Sequence, residues 1–336
     1  MIPFLGAGAN LGTRPAGAVW DENTVAFLPR GDELSLWLAD IVNFPSAEWY
    51  DRADLAKVSS YYAEISARDR LLGRLRGVFR RDSYAPCPIH IYLAELAKSA
   101  EIARDAGPAL SAEYGPLKPE EFKPLLIVTT NYDDLTETAL QALGCAYDLV
   151  VHPTDHKEHA GSIMWWQHGA GEPVWCHPNQ LMIDLETTTV VYKMHGTVSR
   201  ALSKFDSYVI TEEDYIEFLS RMMSHEAIPP LFTAHFYTRQ FLFLGYGLRD
   251  WNLRLMLRNL DGKLSTKKEK SGLAEAAAGK ERGELTSWAI QKGPSLHESF
   301  LWSARDVAIL DEDLNEFVKG LWKHSTTLVC GACAKR

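Results

Sequence analysis

No stretch of this sequence stays apolar for the roughly 18–20 residues that a membrane-crossing helix needs. The opening IPFLG is too short, and lacks the basic flank, to act as a signal peptide. It reads instead as a buried strand. A strand starting at Ile2 is abrupt, so the natural chain is expected to begin a few residues earlier. Cysteine is scarce, with Cys87, Cys145, Cys176, Cys330 and Cys333 among 336 residues. An odd, scattered set argues against a disulfide framework and fits reduced thiols in a cytoplasmic protein. Structural zinc is undersupplied too. Cys330 and Cys333 have ligand spacing, but a four-ligand site needs a second pair and the sequence has none. No metal is therefore expected. Positive charge is also short: 35 Lys and Arg face 44 Asp and Glu, for a net charge of −9. That excludes the cationic face of a sequence-independent nucleic-acid binder, and no direct nucleic-acid or membrane contact is expected. The sequence contains no Gly-x-Ser-x-Gly elbow, no His-Glu-x-x-His helix, no nucleotide-triphosphate P-loop and no internal repeat.

What remains is an ordinary globular composition, 46% apolar and 24% charged, in a chain long enough for a sizeable core. After the first strand, residues 31–107 are mostly helical. LPRGDELSLWLADIV carries a helical face with Asp32 as its N-cap. DRADLAKVSSYYAEISARDRLLGRLRGVFRR continues as one helical stretch, and IHIYLAELAKSAEIARDAG forms another after a proline break. The texture then changes. KPLLIVTTN and ETTTVVYKMHG are short β-branched runs, read as buried parallel strands. DDLTETALQALG is a helix closed by Gly144, and TEEDYIEFLSRMM a helix capped by Thr211. RQFLFLGYGLRDWNLRLMLRNL reads as strand, glycine turn and helix. TSWAIQ and DVAILD are late strands, LNEFVKGLW is a last helix, and the charged stretch 262–284 is a loop or an exposed helix. Strands alternating with helices imply a parallel, Rossmann-like α/β sheet with helices on both faces. The expected organisation is a core of 1–30 and 124–336 with a helical insertion at 31–123.

Three strand ends carry chemistry. GAGAN, with Gly6 and Gly8, follows a strand, and a small-residue turn there lets backbone N–H groups approach a pyrophosphate. From this motif alone a tight turn without a ligand is the commoner reading. TTNYDDL ends a second strand at the edge where open α/β sheets bind ligands. Asn131 offers a donor and an acceptor there, while Asn131 or Asp133 also suits a helix cap. YKMHG ends a third, placing His195, a natural base near neutral pH, at the same edge. The His-Gly pair recurs at His168, but SIMWWQ ahead of it is aromatic and loop-like, so His195 is preferred. Gly245 and Gly247 form a further turn, with Asp250 as a cap or a ribose contact. A rich tryptophan set, including Trp37, Trp165, Trp166, Trp175 and Trp251, points to self-association as a homo-oligomer. A loop folded back on its own core is the alternative.

Taken in order, FLGAGAN, TTNYDDL, KMHG and FLGYGLRDWN resemble the sirtuin-like family, and most closely its bacterial antiphage-defence NAD hydrolases. LPRGDELSLWLA, TEEDY and VAILDEDLNEFVKGL look like the same branch. The resemblance implies a Rossmann-type domain with NAD as its ligand and substrate. By position it implies that Gly6, Ala7 and Gly8 contact the NAD phosphates, with Ala9, Asn10, Thr130, Gly245, Tyr246 and Gly247 completing the binding set. It puts Asn131 near the nicotinamide ribose, Asp133 on the nicotinamide side, and His195 in the role of base. It also implies an activating partner, such as the HerA-type ATPase or Argonaute-like protein with which some relatives work. Two departures matter. NLGTRPAGAVW replaces the Gly-Ile-Pro-Asp-Phe-Arg stretch of protein-deacylating sirtuins, and no cysteine follows His195 until Cys330. The zinc module and acyl-peptide cleft of those enzymes are thus in doubt. An NAD hydrolase is the expectation; a protein deacylase and a non-catalytic NAD or ADP-ribose sensor are the alternatives.

Overall fold

A computed structural model describes residues 1–24, 26–106, 122–154, 156–199, 202–224, 227–247, 287–303 and 307–324. The helix expected after the third glycine turn, with Asp250 and Trp251, the stretch 262–284, and Cys330 with Cys333 lie outside the described residues. The strands are β1 (Ile2–Leu5), β2 (Leu126–Thr129), β3 (Tyr147–Val151), β4 (Ile163–Trp166), β5 (Val174–Cys176), β6 (Thr189–Lys193), β7 (Gly196–Thr197), β8 (Ser207–Tyr208), β9 (Phe241–Leu244), β10 (Ser287–Ile290) and β11 (Val307–Leu310). The helices are α1 (Gly31–Ile41), α2 (Trp49–Arg52), α3 (Leu55–Ser66), α4 (Arg68–Phe79), α5 (Pro88–Ala106), α6 (Leu135–Ala142), α7 (Glu212–Met223), α8 (Pro230–Thr238), α9 (Leu296–Ser303) and α10 (Leu314–His324).

Nine strands form one sheet in the order β11-β10-β9-β1-β2-β6-β3-β4-β5. All pairings from β11 to β3 are parallel, and β4 and β5 extend the edge antiparallel. Successive side chains point to opposite faces, and both faces are covered. Phe4, Val128, Tyr192 and Phe243 share a core with Phe218 of α7, Phe232 of α8 and Trp302 of α9. On the other face Leu5, Ile127 and Leu244 meet Leu93 of α5 and Val318 of α10. Val191 packs there with Ala139 and Leu140 of α6. This two-sided burial explains why the strands read as continuous apolar runs. Each fully buried large side chain favours the arrangement by about 1.5–3 kcal/mol.

Helices α1, α3 and α4 gather a separate cluster around Leu38, Val58, Leu71 and Leu75. One detail corrects the sequence reading and another refines it. The cap of α1 is not Asp32, which sits inside the first turn. Glu33 reaches back instead, accepting the Arg30 N–H at 2.9 Å, and is clasped by Arg14 at 2.7 Å. Burial pushes the Glu33 carboxyl pKa up, but Arg14 and the backbone N–H groups of Arg30 and Trp20 outweigh it and hold it at about 2. The helical stretch 51–81 is divided in two. Ala67, at φ +79°, separates α3 from α4 and turns α4 back, so that Leu71 and Leu75 meet Val58 and Tyr62.

The aromatic stretch SIMWWQ is likewise strand rather than loop. Trp165 and Trp166 belong to β4, where the Trp165 indole N–H donates to Asp148 Oδ2 at 2.8 Å and Trp166 packs edge-on against Phe205 at 5.5 Å. These two rings thus fold back on the chain's own core.

Candidate active site

The sheet has its topological switch point at β1, which has β2 on one side and β9 on the other. Ligands in open α/β sheets settle in the crevice outside the carboxyl ends of strands at such a point. The register pairs Leu5 with Thr129 and Leu244, and Thr129 with Lys193. The turns after β1, β2, β6 and β9 therefore leave the sheet at one level. They bring Gly6–Asn10, Thr130–Asp133, His195 and Gly245–Gly247 to one edge. A crevice of about 320 Å³ opens there, lined by Gly8, Gly245, Tyr246, Gly247 and residues 312–315 of the last strand-helix connection.

The glycines have a structural reason of their own. The Gly6 N–H donates to Leu244 O at 3.1 Å, and the Gly8 N–H to Gly245 O at 2.8 Å. A Cβ on Gly8 would stand 2.7 Å from Gly245 O, and one on Gly245, at φ +64°, 2.1 Å from Ala9 N. The first and third glycine turns thus interlock backbone to backbone. Ala7 is exposed on the outer side of the turn, while Ala9 is buried beneath it.

The turn after β2 is tied to the same point. Thr130 N–H donates to Leu5 O at 3.3 Å, and the Asn131 amide to Gly6 O at 3.1 Å. Asp133 accepts the Leu135 N–H at 3.1 Å and the Asn10 amide at 2.6 Å, so it holds the first N–H of α6 and faces the glycine turn at once. Asn10 Oδ1 is buried with no hydrogen-bond partner among the described residues. It is an acceptor free to meet a donor from a bound molecule.

Behind this turn stands Lys193, a lysine with 0% exposure. Its ammonium donates to Tyr132 O at 3.2 Å, to Asp133 O, and to Glu137 Oε1 at 3.0 Å. Sequence reasoning passed over Lys193. The available signal was a lysine in a β-branched run, since a charge on a buried strand requires a partner.

His195 is 3% exposed, with its ring edge-on to Phe218 at 5.3 Å and Tyr215 at 5.6 Å. Gly196, at φ +91°, lets the chain pass the Ser207 carbonyl, which a Cβ would approach to 2.0 Å. On the other edge of Phe218 lies His152, 4.9 Å away at the end of β3. Burial, then Arg221 and His195, lower the His152 pKa well below the usual imidazole value. A third buried imidazole, His90 on α5, accepts the Cys87 N–H at 3.0 Å on Nδ1. Burial lowers its pKa to about 4 against the opposing pull of Asp133. Neither was singled out from sequence, because single histidines in apolar patterns carry no distinctive spacing. His168 is elsewhere. Since β4 runs antiparallel, its carboxyl end lies at the amino edge of the parallel strands, and His168 is exposed there, its N–H on Asp148 Oδ1 at 2.9 Å.

A family model described as the SIR2-like domain matches residues 125–307, more than half of the chain. The chain belongs to the SIR2-like family. No curated protein matches it. A SIR2-like domain implies NAD binding and fits an NAD-using enzyme. The match begins at β2 and so includes the Asn131 turn, the His195 turn and the third glycine turn. Among the described residues of this SIR2-like chain, no helix is long and apolar enough to cross a membrane.

Proposed function

We propose that the chain hydrolyses NAD to nicotinamide and ADP-ribose. The observation that carries this reading is the position of Asn131 and His195 at the carboxyl ends of neighbouring strands, on the sheet edge that also carries the glycine turns of a SIR2-like fold. In this reaction the bond between the ribose C1′ and the nicotinamide nitrogen breaks, leaving an oxocarbenium-like ribose. Water adds at C1′ and its proton leaves to the His195 imidazole. Asn131, fixed through Gly6 O, orients the water or the ribose, and Asp133 with Asn10 meets the nicotinamide end. The gain comes from orientation and from stabilising the developing charge. The sequence lacks the paired Cys-x-x-Cys module of protein-deacylating sirtuins, which favours water over an acyl oxygen as nucleophile.

We further propose that turnover is gated, and that the chain depletes NAD within an antiviral assembly that includes a partner such as a HerA-type ATPase or an Argonaute-like protein. An NAD hydrolase active at all times would consume its host's NAD. The burial of His195 beneath Tyr215 and Phe218 of α7 supports such gating, because a substrate reaches the imidazole only if α7 or its neighbours shift.

The test compares NAD cleavage and NAD binding for Asn131→Ala, His195→Ala and His168→Ala, with products identified and folds checked by circular dichroism. Asn131→Ala and His195→Ala are expected to lose on the order of a hundredfold or more in turnover while still binding NAD. His168→Ala retains most activity. An active His195 variant beside a folded but inactive His168 variant refutes the assignment. NAD-dependent loss of an acyl group from a peptide would favour the deacylase reading instead.

A further inference from the structure

We propose that the long cleft beside α6 is a second ligand site, built for a small organic cation: an amine or guanidinium on an apolar body. The cleft has a volume of about 590 Å³, in the range of small-molecule sites. It runs along the α6 side of β3, from Asp134 and Thr197 near the carboxyl edge of the sheet to Tyr147 and His168 at the amino edge. It shares no lining residue with the glycine crevice.

Its chemistry has one sign. Asp134 and Glu137 line it, and no Lys or Arg does so among the described residues. Trp166 and Tyr147 add aromatic rings, whose faces attract cations. An independent observation concerns Glu137, which is 5% exposed. Its Oε1 takes the Lys193 ammonium, while its Oε2 is buried with no hydrogen-bond partner among the described residues. A buried carboxylate oxygen without a donor is costly, and a ligand N–H would satisfy it.

The site is also wired to the candidate active site. The Lys193 ammonium bound to Glu137 holds the Tyr132 and Asp133 carbonyls as well. A cation arriving at Glu137 competes with Lys193 for the carboxylate charge and shifts the turn that carries Asn131. Any consequence for turnover rests on the proposed NAD cleavage; binding and the shift do not.

The experiment uses the full chain without NAD. Calorimetric titration with tyramine is compared with its neutral analogue 4-ethylphenol, for the wild type, Glu137→Gln and Asp134→Asn. Tyramine is expected to bind saturably, about tenfold or more tighter than 4-ethylphenol, and each variant to weaken tyramine about tenfold. Hydrogen–deuterium exchange at residues 129–135 is expected to change on tyramine addition. Absent tyramine binding, equal affinity for the two compounds, or undiminished tyramine affinity in the folded variants overturns the site. Binding with unchanged exchange overturns the coupling. If Glu137→Gln fails to fold, Asp134→Asn, on the rim, decides. Since NAD takes no part, these outcomes leave the cleavage assignment standing or falling separately.

Discussion

Removing the buried ammonium at position 193 tests how the candidate site is held. Lys193 links two backbone carbonyls of the Asn131 turn to the Glu137 carboxylate, and its side chain is wholly enclosed. Lys193→Met keeps most of the volume and deletes every donor. It leaves Glu137, whose side chain is 7% exposed, as a buried charge without its cation. Breaking one side of a buried pair costs about 3–5 kcal/mol. The Tyr132 and Asp133 carbonyls also lose their Lys193 donor, each at a cost of about 1–3 kcal/mol unless water reaches it. Lys193→Met is therefore expected to destabilise the fold by about 3–5 kcal/mol or more. The double variant Lys193→Met/Glu137→Leu removes the stranded charge and should be more stable than Lys193→Met alone. Urea denaturation near neutral pH, followed by far-ultraviolet circular dichroism and tryptophan fluorescence, measures both. Coincidence of the two probes is required before a free energy is drawn. A Lys193→Met protein within about 1 kcal/mol of wild type refutes the reasoning, as does a double variant no more stable than the single one.

The buried histidines set an acid response. An unfolded histidine titrates near 6.5, His90 at about 4, and His152 well below its usual value, so between these limits the unfolded chain binds protons that the folded chain refuses. Stability is thus complete above the unfolded pKa and falls as pH drops. His90 alone accounts for about 1.4 kcal/mol per pH unit and about 3 kcal/mol across its window. His90→Asn, which keeps an acceptor for the Cys87 N–H, should flatten the fall in urea midpoint from about pH 6.5 to about pH 5, and an unchanged slope would count against the assignment. Gly245→Ala forces a Cβ to 2.1 Å from Ala9 N at a positive φ, so the two turns must part at a cost of about 2–4 kcal/mol. Gly77→Ala, in open space on α4, should be neutral or stabilising, and a thermal melt of both glycine variants beside the wild type checks the contrast. Ala67→Gly relieves φ +79° and should stabilise the chain by about 1 kcal/mol; a lower melting temperature argues against the strained turn.

The sheet was legible where a strand is buried on both faces. LLIV, TVVY and FLFL are apolar without interruption because both sides are covered, and each ends in a turn that the sequence marks with Thr-Asn, His-Gly or Gly-Tyr-Gly. The convergence of those ends at one edge follows from parallel topology. The hairpin β4–β5 was not legible. Its strands are three or four residues long, too short for a period to emerge, and their stability comes from contacts such as Trp165 to Asp148. Ala67 was hidden because helical periodicity runs straight through it. Asp133 could be read as cap or site residue, and it has partners on both sides. Lys193 and Glu137 stand 56 positions apart, and only the fold brings them together. The fit of Gly8 against Gly245 likewise spans most of the chain, so the glycine turn signalled tight backbone without revealing against what.

The placement of β1 also governs when the molecule can come into being. This strand leaves the ribosome before either of its partners, yet Phe4 pairs with Val128 on one side and with Phe243 on the other. Its first partner emerges more than a hundred residues later and its second more than a hundred after that. Until then Ile2, Phe4 and Leu5 form an apolar strand with an unpaired edge, open to mispairing and suited to chaperone capture. The many intervening residues make closure a slow, non-local event. A nascent or truncated chain that ends before residue 241 holds Asn131 and His195 but lacks the turn that locks Gly6 and Gly8. Such fragments are expected to be inert, so synthesis itself delays the appearance of a finished site until β9 and the turn after it have been made.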